Sequence, residues 1–127
     1  SLIFTPPWAV SLTGQLAAVR ALESASYYRE CYARTDALRA SLADEMRNID
    51  SRITMVGTGN FLMCHLPDDL PTAATVEARC RTKGLFIRVI SRMVPRLGPR
   101  VIRLAVKDAA TQRRMVDILT GALALAV

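Results

Sequence analysis

The chain has 127 residues, 51% of them hydrophobic and 22% charged, with six glycines and six prolines. These are the proportions of one globular domain and exclude a disordered or collagen-like chain. Seventeen basic residues against eleven acidic ones give a net charge of +6, which suggests an anionic partner such as nucleic acid, phosphate or carboxylate. The length excludes most self-contained metabolic enzymes. No apolar run is long enough for a membrane span, and no basic leader precedes an apolar stretch.

The sequence begins at Ser1 rather than at Met, and we expect a piece of a longer protein. Only Lys83 and Lys107 are lysines, so nearly all the positive charge is arginine. Coding bias is one source of such usage, and individual positions matter more than the total. Arg differs from Lys where two parallel hydrogen bonds must grip a carboxylate or phosphate. Cys31, Cys64 and Cys80 are odd in number and form no CxxC pair, which fits a reducing cytoplasm better than a disulfide framework. His65 directly follows Cys64, and on a strand neighbouring side chains point to opposite faces. We therefore expect no metal site.

In chain order, residues 1–10 form an extended lead-in, because Pro6 and Pro7 fix their own φ and push the preceding residue toward extended geometry. Two helices are expected over 11–49. The first starts near Ser11 or Thr13, carrying Leu12, Leu16 and Val19. The second runs from about Tyr27 to Asn48, with Tyr28, Cys31, Tyr32, Leu38, Leu42, Met46 and Ile49 at helical spacing. The pattern over 53–127 is β-β-α-β-β-α. Ile53–Val56 reads as a strand, Gly57-Thr58-Gly59 as a turn, and Asn60–Leu66 as a strand. Thr72 or Thr75 can cap a helix that buries Ala73, Val76 and Cys80 and closes at Gly84. Strands follow at Leu85–Ile90 and Val101–Val106, then a helix from Thr111 to about Ala126. The fold class is α+β, a small, mostly antiparallel sheet with helices packed on one face.

Arg103 is the most informative single residue. It lies on a strand whose other face carries Ile102, Leu104 and Val106, and its own neighbours on the near face are Val101 and Ala105. An arginine in that setting needs an anion, either an internal Asp or Glu or a ligand carboxylate. Arg88 occupies a similar place between Phe86 and Ile90 on the preceding strand, so the two could hold a doubly anionic ligand. Arg92, Arg96 and Arg100 read as solvated loop charges, and Asp68-Asp69 as a solvated turn rather than an acid–base pair. No nucleophile elbow, Gly-rich phosphate loop or H-E-x-x-H string is present. A stand-alone basic α+β module that binds RNA or a small ligand is the alternative. For base stacking it could offer Phe61 and Phe86, with no basic-aromatic signature around them. Tyr27, Tyr28 and Tyr32 fall on a helix and read as packing residues.

Four strings occur in order: Pro6-Pro7-Trp8-x-Val10 before an Ala/Leu-rich helix, Gly59-Asn60-Phe61-Leu62, Lys83-Gly84-Leu85-Phe86-Ile87-Arg88, and Val101-Ile102-Arg103-Leu104-Ala105-Val106. Arg113, Arg114, Met115 and Ile118-Leu119 follow in the last helix. Together they resemble the C-terminal small domain of fold-type-I pyridoxal-phosphate enzymes, nearest the histidinol-phosphate aminotransferases and the threonine-phosphate decarboxylases. Each string alone is weak, but their order across essentially the whole chain is fairly specific.

The resemblance implies that Arg103 binds the substrate α-carboxylate, that Arg88 meets the substrate's distal anion, and that Asn60 holds a turn. It implies a parent aminotransferase, or less readily a decarboxylase, acting on an amino acid that can be phosphorylated. The parent would be a cytoplasmic homodimer with no membrane or nucleic-acid partner. Ala9-Val10-Ser11 stands where the family often has Asn, and Ala105-Val106-Lys107-Asp108 is nearer the decarboxylase branch, so substrate identity stays open. Lys83 follows Cys80-Arg81-Thr82 and Lys107 follows Leu104-Ala105-Val106; neither has the Ser/Thr-x-x-Lys setting of the family's Schiff-base lysine. The pyridoxal phosphate is therefore expected on a missing N-terminal large domain, and the fragment alone is expected to have no catalytic or cofactor-binding residues.

Overall fold

A computed structural model describes residues 12–125. The Pro6-Pro7-Trp8 segment and the expected start at Ser11 lie outside them. The described elements are α1 (Leu12–Ile49), β1 (Thr54–Thr58), β2 (Phe61–His65), α2 (Ala73–Thr82), β3 (Arg88–Val89), β4 (Val101–Ala105) and α3 (Ala109–Leu123), with 3₁₀ turns at Ile90–Arg92 and Pro95–Leu97. The chain divides into two compact units, residues 1–34 and 35–127.

The two expected N-terminal helices are a single helix of 38 residues. The apolar stripe falters around Glu23-Ser24-Ala25-Ser26, but a gap in a stripe does not break a backbone. Between Gln15 and Val56 the sequence holds no Gly or Pro to stop the helix. In the first unit, Leu12, Leu16, Leu22, Tyr27, Tyr28 and Tyr32 are all exposed. The tyrosines are thus not packing residues within the described chain, although the Tyr27 and Tyr28 rings meet edge to face at 5.8 Å.

In the second unit the remainder of α1 contributes Leu42, Ala43 and Met46 to a core shared with α2, α3 and the sheet. The sheet is antiparallel throughout, in the order β1-β2-β4-β3. Leu62, Cys64, Val89, Ile102 and Leu104 form its inner face, against Val76 and Cys80 of α2 and Met115 and Leu119 of α3. The class is α+β with the helices on one face.

Local chemistry sets the boundaries. Gly57 and Thr58 belong to β1, so the β1–β2 turn is only Gly59-Asn60, with Gly59 at φ +55°. That positive φ at the first turn position suits the right-handed twist of a tight hairpin. The Thr72 side chain caps α2 by accepting from the Thr75 amide. Asp108 caps α3, accepting from the Thr111 amide at 2.8 Å and the Thr111 hydroxyl at 3.0 Å. The expected strand Leu85–Ile90 shortens to Arg88–Val89. At its start, Gly84 takes φ +83°, and the Leu85 amide bonds back to the Cys80 carbonyl at 3.0 Å, closing α2 and removing Leu85 from the ladder. At its end, the Met93 and Val94 amides both return to the Ile90 carbonyl, at 2.9 Å each, and curl the chain away.

Candidate functional site

The strand register aligns one transverse row on the face away from the helices. Val56 stands opposite Met63, Met63 opposite Arg103, and Arg103 opposite Arg88. The row is apolar at the β1 edge and cationic at the β3 edge. Alternation forces this arrangement. With Ile102 and Leu104 fully buried on the inner face, Arg103 between them must project outward. Val89 pairs with Ile102 in the core, so its neighbour Arg88 projects outward too.

Among the described residues, neither arginine has a carboxylate partner. The internal salt bridge that Arg103's position would equally have allowed is not formed. Instead its guanidinium carbon lies 4.8 Å from the centroid of the Phe61 ring. Phe61 is half-buried beneath that cation, whereas Phe86 is widely exposed.

The other arginines of this unit show what a partnered guanidinium looks like here. Arg39 bonds Asp36 and the Gly59 carbonyl. Arg79 holds the Ala122 and Ala124 carbonyls at the end of α3, at 3.0 and 2.8 Å. Arg52 bridges Asp50 and Asp69, which lowers both carboxyl pKa values below the ordinary carboxylate range. Two of the expected solvated loop charges also prove structural. Arg92 pairs with the buried Glu77 at 2.9 Å. Arg100 donates to the carbonyls of Pro67 and Leu70 and lies 3.6 Å from the exposed Asp68. Charge pattern gave no hint of this, because the carbonyls Arg100 binds are 33 and 30 residues away in sequence. Arg96 has no partner among the described residues and remains a loop charge.

Cys64 faces the core while His65 faces out, so their side chains do not converge. Burial pushes the Cys64 thiol up to about 12 and the Cys80 thiol up to about 11, so neither is a nucleophile at neutral pH. The two lysines do not fit a Schiff-base role: Lys83 ends α2 and Lys107 follows β4, both exposed on the surface.

No protein-family profile matches the chain. A histidinol-phosphate aminotransferase of Nitrobacter winogradskyi is 28% identical over 112 residues, covering 87% of this chain and 30% of that enzyme. Histidinol-phosphate aminotransferases from two strains of Rhodopseudomonas palustris are 33% identical over 86 residues, covering 67% of this chain and 23% of each enzyme. The chain resembles part of a histidinol-phosphate aminotransferase. It spans less than a third of the length of these curated relatives. In fold, it superposes with a TM-score of 0.67 and 20% identity on the crystal structure of histidinol-phosphate aminotransferase from Clostridium acetobutylicum, covering 92% of this chain and 34% of that one.

Proposed function

We propose that the outer face of this sheet is the substrate-anion clamp of a pyridoxal-phosphate-dependent aminotransferase. In this reading Arg103 grips the α-carboxylate of an amino acid and Arg88 meets a second anionic group. The observation that carries the reading is their pairing: two arginines at directly opposed backbone positions on one face, neither consumed by a carboxylate among the described residues. Like charges in that position disfavour the ligand-free sheet, so a bound dianion gains what the sheet alone lacks. A guanidinium offers a planar fork of N–H donors to a carboxylate or phosphate. Two forks on adjacent strands fix both the position and the orientation of a substrate carrying both groups.

The similarity to histidinol-phosphate aminotransferases supports a phosphate-bearing amine among the substrates, with the carboxylate belonging to the amino acid that exchanges the amino group. Because the chain spans under a third of those enzymes and its lysines do not fit the cofactor, the pyridoxal phosphate belongs on a larger domain of the same parent, a cytoplasmic homodimer. This domain contributes binding and orientation, and the cofactor, when bound elsewhere, supplies the electron sink for amino-group transfer.

The test is made in the longer protein that carries this chain. Arg103→Ala raises KM strongly for the amino-acid substrate while the cofactor absorbance band stays intact. Unchanged kinetics would remove Arg103 from the site. A parent without a Schiff-base lysine outside this segment would end the aminotransferase reading.

A further inference from the structure

We propose that Phe61 is the positioning residue of the clamp: its ring holds the Arg103 guanidinium in place while leaving the donor edge open to the ligand. This rests on the reading of Arg103 as an anion grip and adds how that grip is kept ready.

The arginines of this unit differ in what holds them. Arg39, Arg52, Arg79, Arg92 and Arg100 are each fixed by hydrogen bonds to carboxylate or carbonyl oxygens, which occupy their N–H groups. A bidentate anion needs two of those N–H groups free. Arg103 is held differently, with its guanidinium carbon 4.8 Å from the Phe61 ring centroid and no acid or carbonyl partner among the described residues. A ring attracts a cation through its quadrupole and accepts no N–H bond along the donor edge. Arg103 is therefore positioned without being consumed.

The register makes the contact a built one. Phe61 pairs with Ala105 across β2 and β4, so Arg103 is its diagonal neighbour on the same face, two residues back along β4. The small side chain of Ala105 leaves the space over Phe61 to the arginine. Arg88 lies directly opposite Arg103 on the other flank and repels it. Phe61 on one side and Arg88 on the other thus bound the positions open to the Arg103 head group. Without the ring, that head group would swing over the open sheet face, and ligand binding would have to supply the ordering.

The experiment uses the full 127-residue chain, labelled with ¹⁵N, and follows the Arg103 Nε–Hε resonance, assigned by its loss in Arg103→Lys. The probe is O-phospho-L-serine, which carries a carboxylate and a phosphate. In the wild type the Hε proton is shifted upfield by the Phe61 ring current and moves saturably on titration. Phe61→Leu abolishes the upfield shift and weakens binding about two- to fivefold, the size expected of a partly exposed cation–π contact. Phe61→Trp keeps both the shift and the affinity. A wild-type Hε without upfield displacement overturns the proposal without recourse to any variant, should Phe61→Leu not fold. Wild-type binding with unchanged affinity in a folded Phe61→Leu overturns the positioning role alone. No saturable movement in the wild type overturns the anion grip itself, and the proposal with it.

Discussion

Arg88 and Arg103 are register partners across the β3–β4 ladder, and both project from the face of the sheet that carries no helix. Two like charges in this relationship work against the ligand-free fold, an arrangement expected where binding rather than stability has placed the residues. Removing one charge therefore has opposite effects on stability and on binding. Arg88→Gln raises the stability of the ligand-free chain by roughly 0.2–0.5 kcal/mol, a small value because solvent screens the exposed guanidinium. The same substitution reduces the stabilisation gained from added inorganic phosphate. Urea unfolding with and without phosphate reads both effects. A variant less stable than wild type in phosphate-free buffer would show that the pair is not repulsive.

How much of this was legible in the sequence varies with how local the cause is. The outward projection of Arg103 followed from strict alternation with Ile102 and Leu104, and the α2 cap and closure from Thr72 and Gly84. Arg88 and Arg103 were expected on neighbouring strands, but their direct register was set by the turns that shorten β3 and was not legible. The break within α1 did not survive, because a lapse in apolar spacing says nothing about the backbone unless Gly or Pro accompanies it. The length of β3 was overestimated because the backbone bonds of the Leu85 amide and the Ile90 carbonyl are decided by the turns on either side. Arg92 and Arg100 were misread for a different reason: their partners Glu77, Pro67 and Leu70 come close only in three dimensions.

The inner face of the sheet predicts a large cost for truncation. Leu104 is fully buried and pairs with Leu62, which is nearly so. Leu104→Ala removes buried methyl groups beneath the helices and lowers unfolding free energy by about 2–5 kcal/mol. Ala105→Ser, one residue on and exposed, stays within roughly 0.5 kcal/mol of wild type. Comparable losses at the two positions, measured by chemical denaturation, would contradict the assignment of the faces.

The buried thiols give a reactivity prediction. The thiolate is the alkylating species, and burial holds Cys64 and Cys80 to about 12 and 11. At pH 8 the thiolate fraction of Cys64 is on the order of one in ten thousand, against roughly a quarter for an ordinary cysteine. Iodoacetamide therefore leaves both residues unmodified in the native chain and labels them once denaturant is added, as read by peptide mass mapping. Rapid native labelling of Cys64 would show that β2 is not covered as described.

The α3 cap has a pH signature. The Thr111 amide and hydroxyl bonds hold the Asp108 carboxyl below its ordinary value of 3.8. A depressed pKa means that the folded state binds the proton less readily than the unfolded one. The stabilisation is present in full above the unfolded value and is lost as pH falls from about 4 through the lower folded value. Asp50 and Asp69, lowered by Arg52, act in the same direction. Asp108→Asn keeps a side-chain oxygen able to cap the helix but removes the titration. Its stability between pH 4 and pH 2.5 accordingly falls less steeply than that of the wild type. Parallel profiles would mean that Asp108 does not hold this bond in solution.

Along α1, side-chain burial changes abruptly although the helix is continuous. No residue between Leu12 and Arg34 is buried, whereas Leu42, Ala43 and Met46 are core residues. A helical stretch without buried side chains draws its stability only from propensity and local pairs, which is marginal in water for this length. Amide hydrogen exchange is therefore expected to divide the helix. Amides from about Leu42 to Ile49 exchange only through global unfolding, while those between Leu12 and Arg34 open locally and exchange orders of magnitude faster. Exposed Leu12, Leu16, Leu22, Tyr27 and Tyr32 give the fast segment a large apolar surface. Slow exchange along the whole helix at a concentration where the chain is monomeric would show that the first unit has a source of stability other than its own helix.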